Sequence, residues 1–210
     1  KAFTVSLKGG LEGAAVDAGP LQLDGEVALT VDLSAVERAT ATLKSESLQL
    51  GPFQRFVPVS PQILSGFRLI DTALSGTWEK SRDCAFSFKS NVASTGEVPA
   101  AIVVQGTGSA AEDFSQLVQV SSTVETTGFP LGMVASLIPR QVPWQSDSGL
   151  FSMHMKGQWL KSDDWNVQGQ LGLDDVVPKG MLAALGKKMS VKSQIALDPG
   201  QLAIKSMEIA

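Results

Sequence analysis

From Leu21 to Leu33 the chain alternates with period two. Leu21, Leu23, Gly25, Val27, Leu29, Val31 and Leu33 occupy the odd positions, and Gln22, Asp24, Glu26, Ala28, Thr30 and Asp32 the even ones. Successive side chains of a strand point to opposite faces, so this segment is expected to be one long strand with an apolar and a polar face. The apolar face has to be hidden against a second sheet, a helix or a ligand. A doubly wound parallel sheet is excluded, because its strands are apolar on both faces and are separated by long helices. The fold class expected is mostly β, with long antiparallel strands.

The same texture recurs along the chain. Residues 41–50 (ATLKSESLQL) read as a strand stopped by Gly51 and Pro52, and Ala101–Val104 as a short strand ending at Gly106. Phe114–Val124 alternate loosely. Phe151, Met153 and Met155 alternate with Ser152, His154 and Lys156, and Trp165, Val167, Gly169, Leu171 and Leu173 alternate with Asn166, Gln168 and Gln170. These two segments are expected to pair as a hairpin. Ser190–Leu197 and Gln201–Ile209 form another, joined by Asp198-Pro199-Gly200, whose proline and glycine suit a tight turn. Helices are confined to Leu131–Ile138, between Pro130 and Pro139, and to Gly180–Leu185 after Pro178, each worth one or two turns.

An internal repeat stands out. GTWEKSRD at 76–83 and GQWLKSDD at 157–164 share Gly76/Gly157, Trp78/Trp159, Lys80/Lys161, Ser81/Ser162 and Asp83/Asp164 at a constant offset of 81. Each motif follows a Ser-Gly pair (Ser65-Gly66, Ser148-Gly149) and a strand of about ten residues, and precedes another strand, Cys84–Val92 or Trp165–Leu173. The unit is a hairpin used twice, at about 66–93 and 149–174, in which Lys-Ser-x-Asp supplies polar turn residues and the Trp packs across the strand pair. The whole of 1–210 is expected to be one β-rich domain. A chain opening at Lys1 and closing inside a strand at Ile209 reads as an excerpt of a longer protein.

Composition removes most catalytic designs. One histidine, His154, and one cysteine, Cys84, leave no material for a zinc site, a triad or an internal disulfide. His154 lies on the polar phase of its strand and reads as a surface residue, and Cys84 as a small apolar one ahead of Phe86 and Phe88. Asp163-Asp164 and Asp174-Asp175 are adjacent pairs that point to opposite faces of a strand, so neither holds a metal. GTGSA at 106–110 lacks the Lys-Ser/Thr ending of a phosphate-binding loop. Seventeen basic against twenty-one acidic residues, net −4, argue against nucleic acid. No enzyme activity, cofactor or metal is expected. A membrane-spanning barrel needs two aromatic girdles, whereas this chain has no Tyr and four Trp.

Long alternating strands, the Gly-x-apolar rhythm of Gly25-Glu26-Val27, Gly66-Phe67 and Gly149-Leu150, and the apolar stretch FPLGMVASLIP ahead of a hairpin resemble the AsmA-like and TamB-like bacterial envelope proteins. The resemblance implies a curved, U-shaped or taco-like sheet, apolar within and polar outside, that spans the periplasm and carries phospholipid in lipid transport for outer membrane biogenesis. It also implies an inner-membrane anchor in a segment outside this chain. From the residues alone, a packed β-sandwich that binds a protein partner is the alternative to a lipid-filled groove. Leu, Met and Ala on the apolar phase lean toward the groove, because flexible Met suits adaptable apolar binding. The groove-lining residues are then Leu21, Leu23, Val27, Leu29, Val31, Met153, Met155, Val167, Leu171 and Leu173, and the partner is phospholipid or another acyl-chain lipid. Unpaired strands at either end would also allow edge pairing or a homodimer.

Overall fold

The computed structural model describes residues 2–13, 16–32, 35–49, 68–80, 84–93, 100–110, 117–132, 134, 148–160, 164–179 and 188–210. They form eleven strands: β1 (Ala2–Gly13), β2 (Val16–Leu29), β3 (Val36–Gln49), β4 (Arg68–Glu79), β5 (Cys84–Val92), β6 (Ala100–Ala110), β7 (Leu117–Pro130), β8 (Leu150–Leu160), β9 (Trp165–Val176), β10 (Met189–Asp198) and β11 (Gln201–Ile209). All belong to one antiparallel sheet, curved and unclosed, whose spatial order is the chain order β1 to β11. The strands therefore meander, and no second sheet packs on them among the described residues, so the sandwich alternative is not the architecture. Of the two expected helices, 180–185 lies outside the described residues. Within 131–138 only Leu131, Gly132 and Val134 are described, in helical conformation but too few to make a helix.

The long strand expected at 21–33 begins earlier and ends sooner, at Leu29. The chain reverses there because Thr30 N–H donates to the Ala35 carbonyl (2.9 Å), Ala35 N–H donates to Thr30 Oγ1 (3.1 Å), and Thr30 Oγ1 donates to the Asp32 carboxylate. Short polar side chains at 30 and 32 thus satisfy a local turn in place of the ladder. Val31 is left in that turn, 95 % exposed. The β10–β11 hairpin closes through Pro199 and Gly200, with Asp198 opposite Gln201 and Gly200 at φ 94°, the positive angle that a type II turn places on glycine. The two repeated motifs sit on β4–β5 and β8–β9: Gly76 and Trp78 near the end of β4, Gly157 and Trp159 near the end of β8. Residues 81–83 and 161–163 of their turns lie outside the described residues.

Register carries one face across the whole sheet. Successive cross-strand partners run Leu7, Leu23, Leu43, Leu74, Phe88, Val104, Val124, Met155, Gly169, Ile195 and Ile204, one from each strand. Ten of these eleven are apolar. The neighbouring row, one residue along, runs Ser6, Asp24, Thr42, Ser75, Ser87, Gln105, Thr123, Lys156, Gln168, Ala196 and Ala203. Alternation of side chains then separates an apolar from a polar face over eleven strands.

The packed core lies on the apolar side at one end of the strands, the end where β3 finishes and β4 begins. Leu48, Leu69, Val92, Ala100 and Phe129 are buried there, with Leu21, Phe88, Ile102, Val134 and Phe151 against them. Bulges feed this core. Leu69 and Thr72 are both buried although three residues apart, and Asp71 between them adopts φ 51°. Thr126 and Phe129 repeat the spacing around Gly128 (φ 69°), and Asp175 (φ 57°) precedes the buried Val176. One extra residue in the strand advances the apolar phase and tightens the local twist. Glycine accepts the left-handed angle freely, and aspartate at modest cost.

Candidate functional site

Toward the opposite end of the strands the apolar face changes character. The row beside the Leu7–Ile204 row contains Gly25, Ala41, Gly76, Phe86, Gly106, Ser122, Gly157 and Val167 as successive partners from β2 to β9. Four glycines and an alanine in eight positions leave the sheet floor bare between larger neighbours. Phe86 leans across the vacant position at Gly106, where an added Cβ would collide with its ring and stand 2.5 Å from the Ser121 carbonyl. Over β2–β5 this produces a shallow apolar cleft of about 510 Å³ lined by Leu23, Gly25, Val27, Ala39, Ala41, Gly76, Trp78, Cys84 and Phe86. Among the described residues no charged side chain lines it. The Cys84 thiol donates to the Gly108 carbonyl at 2.8 Å, so its one polar hydrogen is already used.

The expected site residues divide in two. Leu21, Leu23, Val27 and Leu29 lie along β2, opposite Ser45, Leu43, Ala39 and Val36 of β3, and of these Leu23 and Val27 line the apolar cleft. Met153, Met155, Val167, Leu171 and Leu173 lie side by side on β8 and β9, where Met153 faces Leu171, Met155 faces Gly169, Gly157 faces Val167 and Phe151 faces Leu173. Both groups belong to the same face. Six strand spacings separate β2 from β8, roughly 30 Å measured along the sheet, so they are two stations on one surface and do not form one pocket. Met155 is 8 % exposed and belongs to the packed part of that face. Val31 stands apart in its turn, and its placement in the lining is corrected for the reason given above.

Sequence reasoning passed over Ala39, Ala41, Gly76, Trp78 and Phe86. They line the cleft because register sets small residues of β3 and β4 beside aromatic ones, and only the recurrence of Gly two residues before Trp in the repeat signalled it. Leu74 (42 % exposed) continues the apolar surface between Leu43 and Phe88.

The polar face holds a second depression, about 420 Å³, bordered by Glu125, His154, Gln170, Lys192, Gln194 and Glu208 among others. His154 Nδ1 and a Glu125 oxygen lie 2.9 Å apart across β7 and β8, both side chains about half exposed. That contact is an exposed cross-strand pair and leaves His154 on the surface, as its strand phase indicated. Thr126, Thr127, Ser152, Ser193 and Ser206 border the same depression.

Comparison of the chain with family models, with curated protein sequences and with solved structures returns no match.

Proposed function

We propose that the apolar face binds the acyl chains of phospholipid and lets them move along the sheet, in the periplasm, as part of lipid transport for outer membrane biogenesis or maintenance. The row from Leu7 to Ile204, apolar at ten of its eleven positions, carries this reading, together with the resemblance to AsmA-like and TamB-like proteins. An apolar surface that crosses eleven strands, half exposed at Leu23 and Leu74 and hollowed by glycines beside Phe86 and Trp78, is a surface that an acyl chain can cover. Each methylene removed from water contributes about 0.8 kcal/mol. A floor without charged groups holds a chain without fixing its position, which suits passage more than capture. The process needs no bond making, and the protein acts as a non-enzymatic conduit.

The test is native mass spectrometry of the gently purified chain, followed by organic extraction and lipid analysis. Phospholipid is expected to accompany the native protein and to be lost from Leu23→Glu, which alters an already exposed position and keeps the circular dichroism of the sheet. Met155→Glu is the poorer probe, because that side chain is buried and its loss would be confounded with unfolding. A native chain that carries no lipid and takes none from phosphatidylethanolamine–phosphatidylglycerol vesicles would overturn the proposal.

A further inference from the structure

The repeated motif contains a glycine that the fold does not need. An added Cβ at Gly106 would meet the Phe86 ring and the Ser121 carbonyl, and one at Gly169 the His154 carbonyl, so close packing explains those two residues. At Gly76 the nearest atom to an added Cβ is the Ala85 carbonyl oxygen at 3.9 Å, and at Gly157 a Val167 methyl at 3.4 Å, both ordinary contacts. Neither glycine has a positive φ. Backbone and packing would therefore accept a side chain at both, and glycine weakens the interior of a strand. Even so, glycine stands two residues before tryptophan in each copy, Gly76 and Trp78 on β4, Gly157 and Trp159 on β8. At Gly76 the vacant space is the floor of the apolar cleft.

The strand phase continues past the tryptophan. Lys80 N–H donates to the Glu37 carbonyl at 2.9 Å, which extends the β3–β4 ladder one residue beyond the Arg38–Glu79 pair. By alternation Gly76, Trp78 and Lys80 then follow one another on one face, roughly 13 Å from the glycine to the lysine, and Leu74 continues that phase toward the core. Trp78 is partly buried in the cleft wall and Lys80 is exposed. Among the described residues no carboxylate forms an ion pair with Lys80. An open apolar floor, an amphipathic indole and a solvated cation thus succeed one another along one strand. A phospholipid presents acyl chain, glycerol ester and phosphate in the same order. Indole suits the boundary between apolar and wet surroundings, and lysine lays its methylene stem on apolar surface while keeping its ammonium in water.

We infer that Gly76, Trp78 and Lys80 form a station that orients phospholipid on the sheet, with the phosphate at Lys80, the glycerol ester beside Trp78 and an acyl chain over Gly76 toward Leu74. The inference rests on the lipid reading of the apolar face. It adds that the lipid carries a phosphate and that its headgroup lies at the end of β4 away from the packed core. One exposed lysine favours an anionic headgroup by about fivefold, enough to orient a lipid and too little to arrest its passage. In the sequence Lys161 follows Trp159 by the same two residues, and Lys161 lies outside the described residues.

Calorimetric titration of the 210-residue chain with monomeric dioctanoylphosphatidylglycerol and with dioctanoylglycerol tests it, because the two share their acyl chains and differ in the phosphate-bearing headgroup. Lys80→Gln is expected to weaken phosphatidylglycerol binding about fivefold and to leave diacylglycerol binding unchanged, and Lys80→Arg to keep both native affinities. Gly76→Leu occupies the open floor without a clash and should weaken both lipids about tenfold, the scale of roughly two methylenes no longer seated. Lys80 is solvated, so K80Q decides the matter even if G76L does not fold. A K80Q chain with native affinity for phosphatidylglycerol, or one that loses both lipids equally, would overturn the inference and leave the lipid reading standing. A native chain that binds neither lipid would overturn both.

Discussion

The two ends of the same strands make opposite uses of the same face. At the core end, Val92 and Ala100 are fully buried, Leu69 is 4 % exposed, and bulges at Asp71 and Gly128 turn extra side chains inward. At the other end the rows descend to Gly25, Ala41, Gly76 and Gly106, and a cleft opens beside Phe86. The same antiparallel strand order supports both. The difference lies in side-chain volume and in the bulges of the core end, which teaches that a continuous sheet can be anchored at one rim and kept vacant at the other without any change of topology.

Substitutions separate the two regions. The largest effect is expected for Val92→Asp, which buries an unpaired carboxylate at a fully enclosed position; the loss should exceed about 4 kcal/mol in a denaturant titration, or abolish the cooperative transition. Gly106→Val tests whether the glycine rows are merely empty. Its side chain would displace the Phe86 ring and meet the Ser121 carbonyl, and a loss of about 1–3 kcal/mol is expected, with the cleft partly filled. An indifferent Gly106→Val would mean that Phe86 is free to swing away. Thr126→Val should move the other way. Its buried Oγ1 has no hydrogen-bond partner among the described residues, so replacing the hydroxyl with a methyl of similar shape is expected to raise the midpoint by the equivalent of about 1 kcal/mol. The smallest effect belongs to the polar face, where His154→Ala removes a half-exposed pair with Glu125 and should shift stability by less than about 0.5 kcal/mol.

What the sequence made legible was face and period. Leu21 to Leu29 alternate cleanly, and the structure keeps them on one side of β2; Cys84–Val92 was delimited by the repeat and is β5 as expected. The bulges were not legible, because each breaks the period on which strand reading depends. Leu202 and Ile204 fall out of phase with Met207 and Ile209 on paper, and only the extra residue at Lys205 restores one face. The cleft was hidden for a different reason. Whether Gly76 or Ala41 is floor or filler depends on which residue stands opposite, and cross-strand register is a property of pairs that a single strand does not display. The structure likewise separates the β2 and β8–β9 groups, which the sequence read as one lining, because the five strands between them have width that a linear pattern cannot express. Val31 failed at a boundary, where Thr30 and Asp32 offered the backbone a turn in place of the ladder.

Spatial order equal to chain order has a kinetic meaning. Each strand pairs only with the strands that precede and follow it, so each closure spans little more than one connecting segment and no late long-range crossing is required. Pairing between strands distant in chain order slows many all-β folds, and the described sheet pairs only strands adjacent in chain order, which favours faster folding than a crossed topology of the same size. Growth can begin at any hairpin and proceed by zippering in both directions. Every intermediate in such a process ends in raw, unpaired strands, so speed of assembly is coupled to a standing exposure to wrong partners until the last strand is laid down.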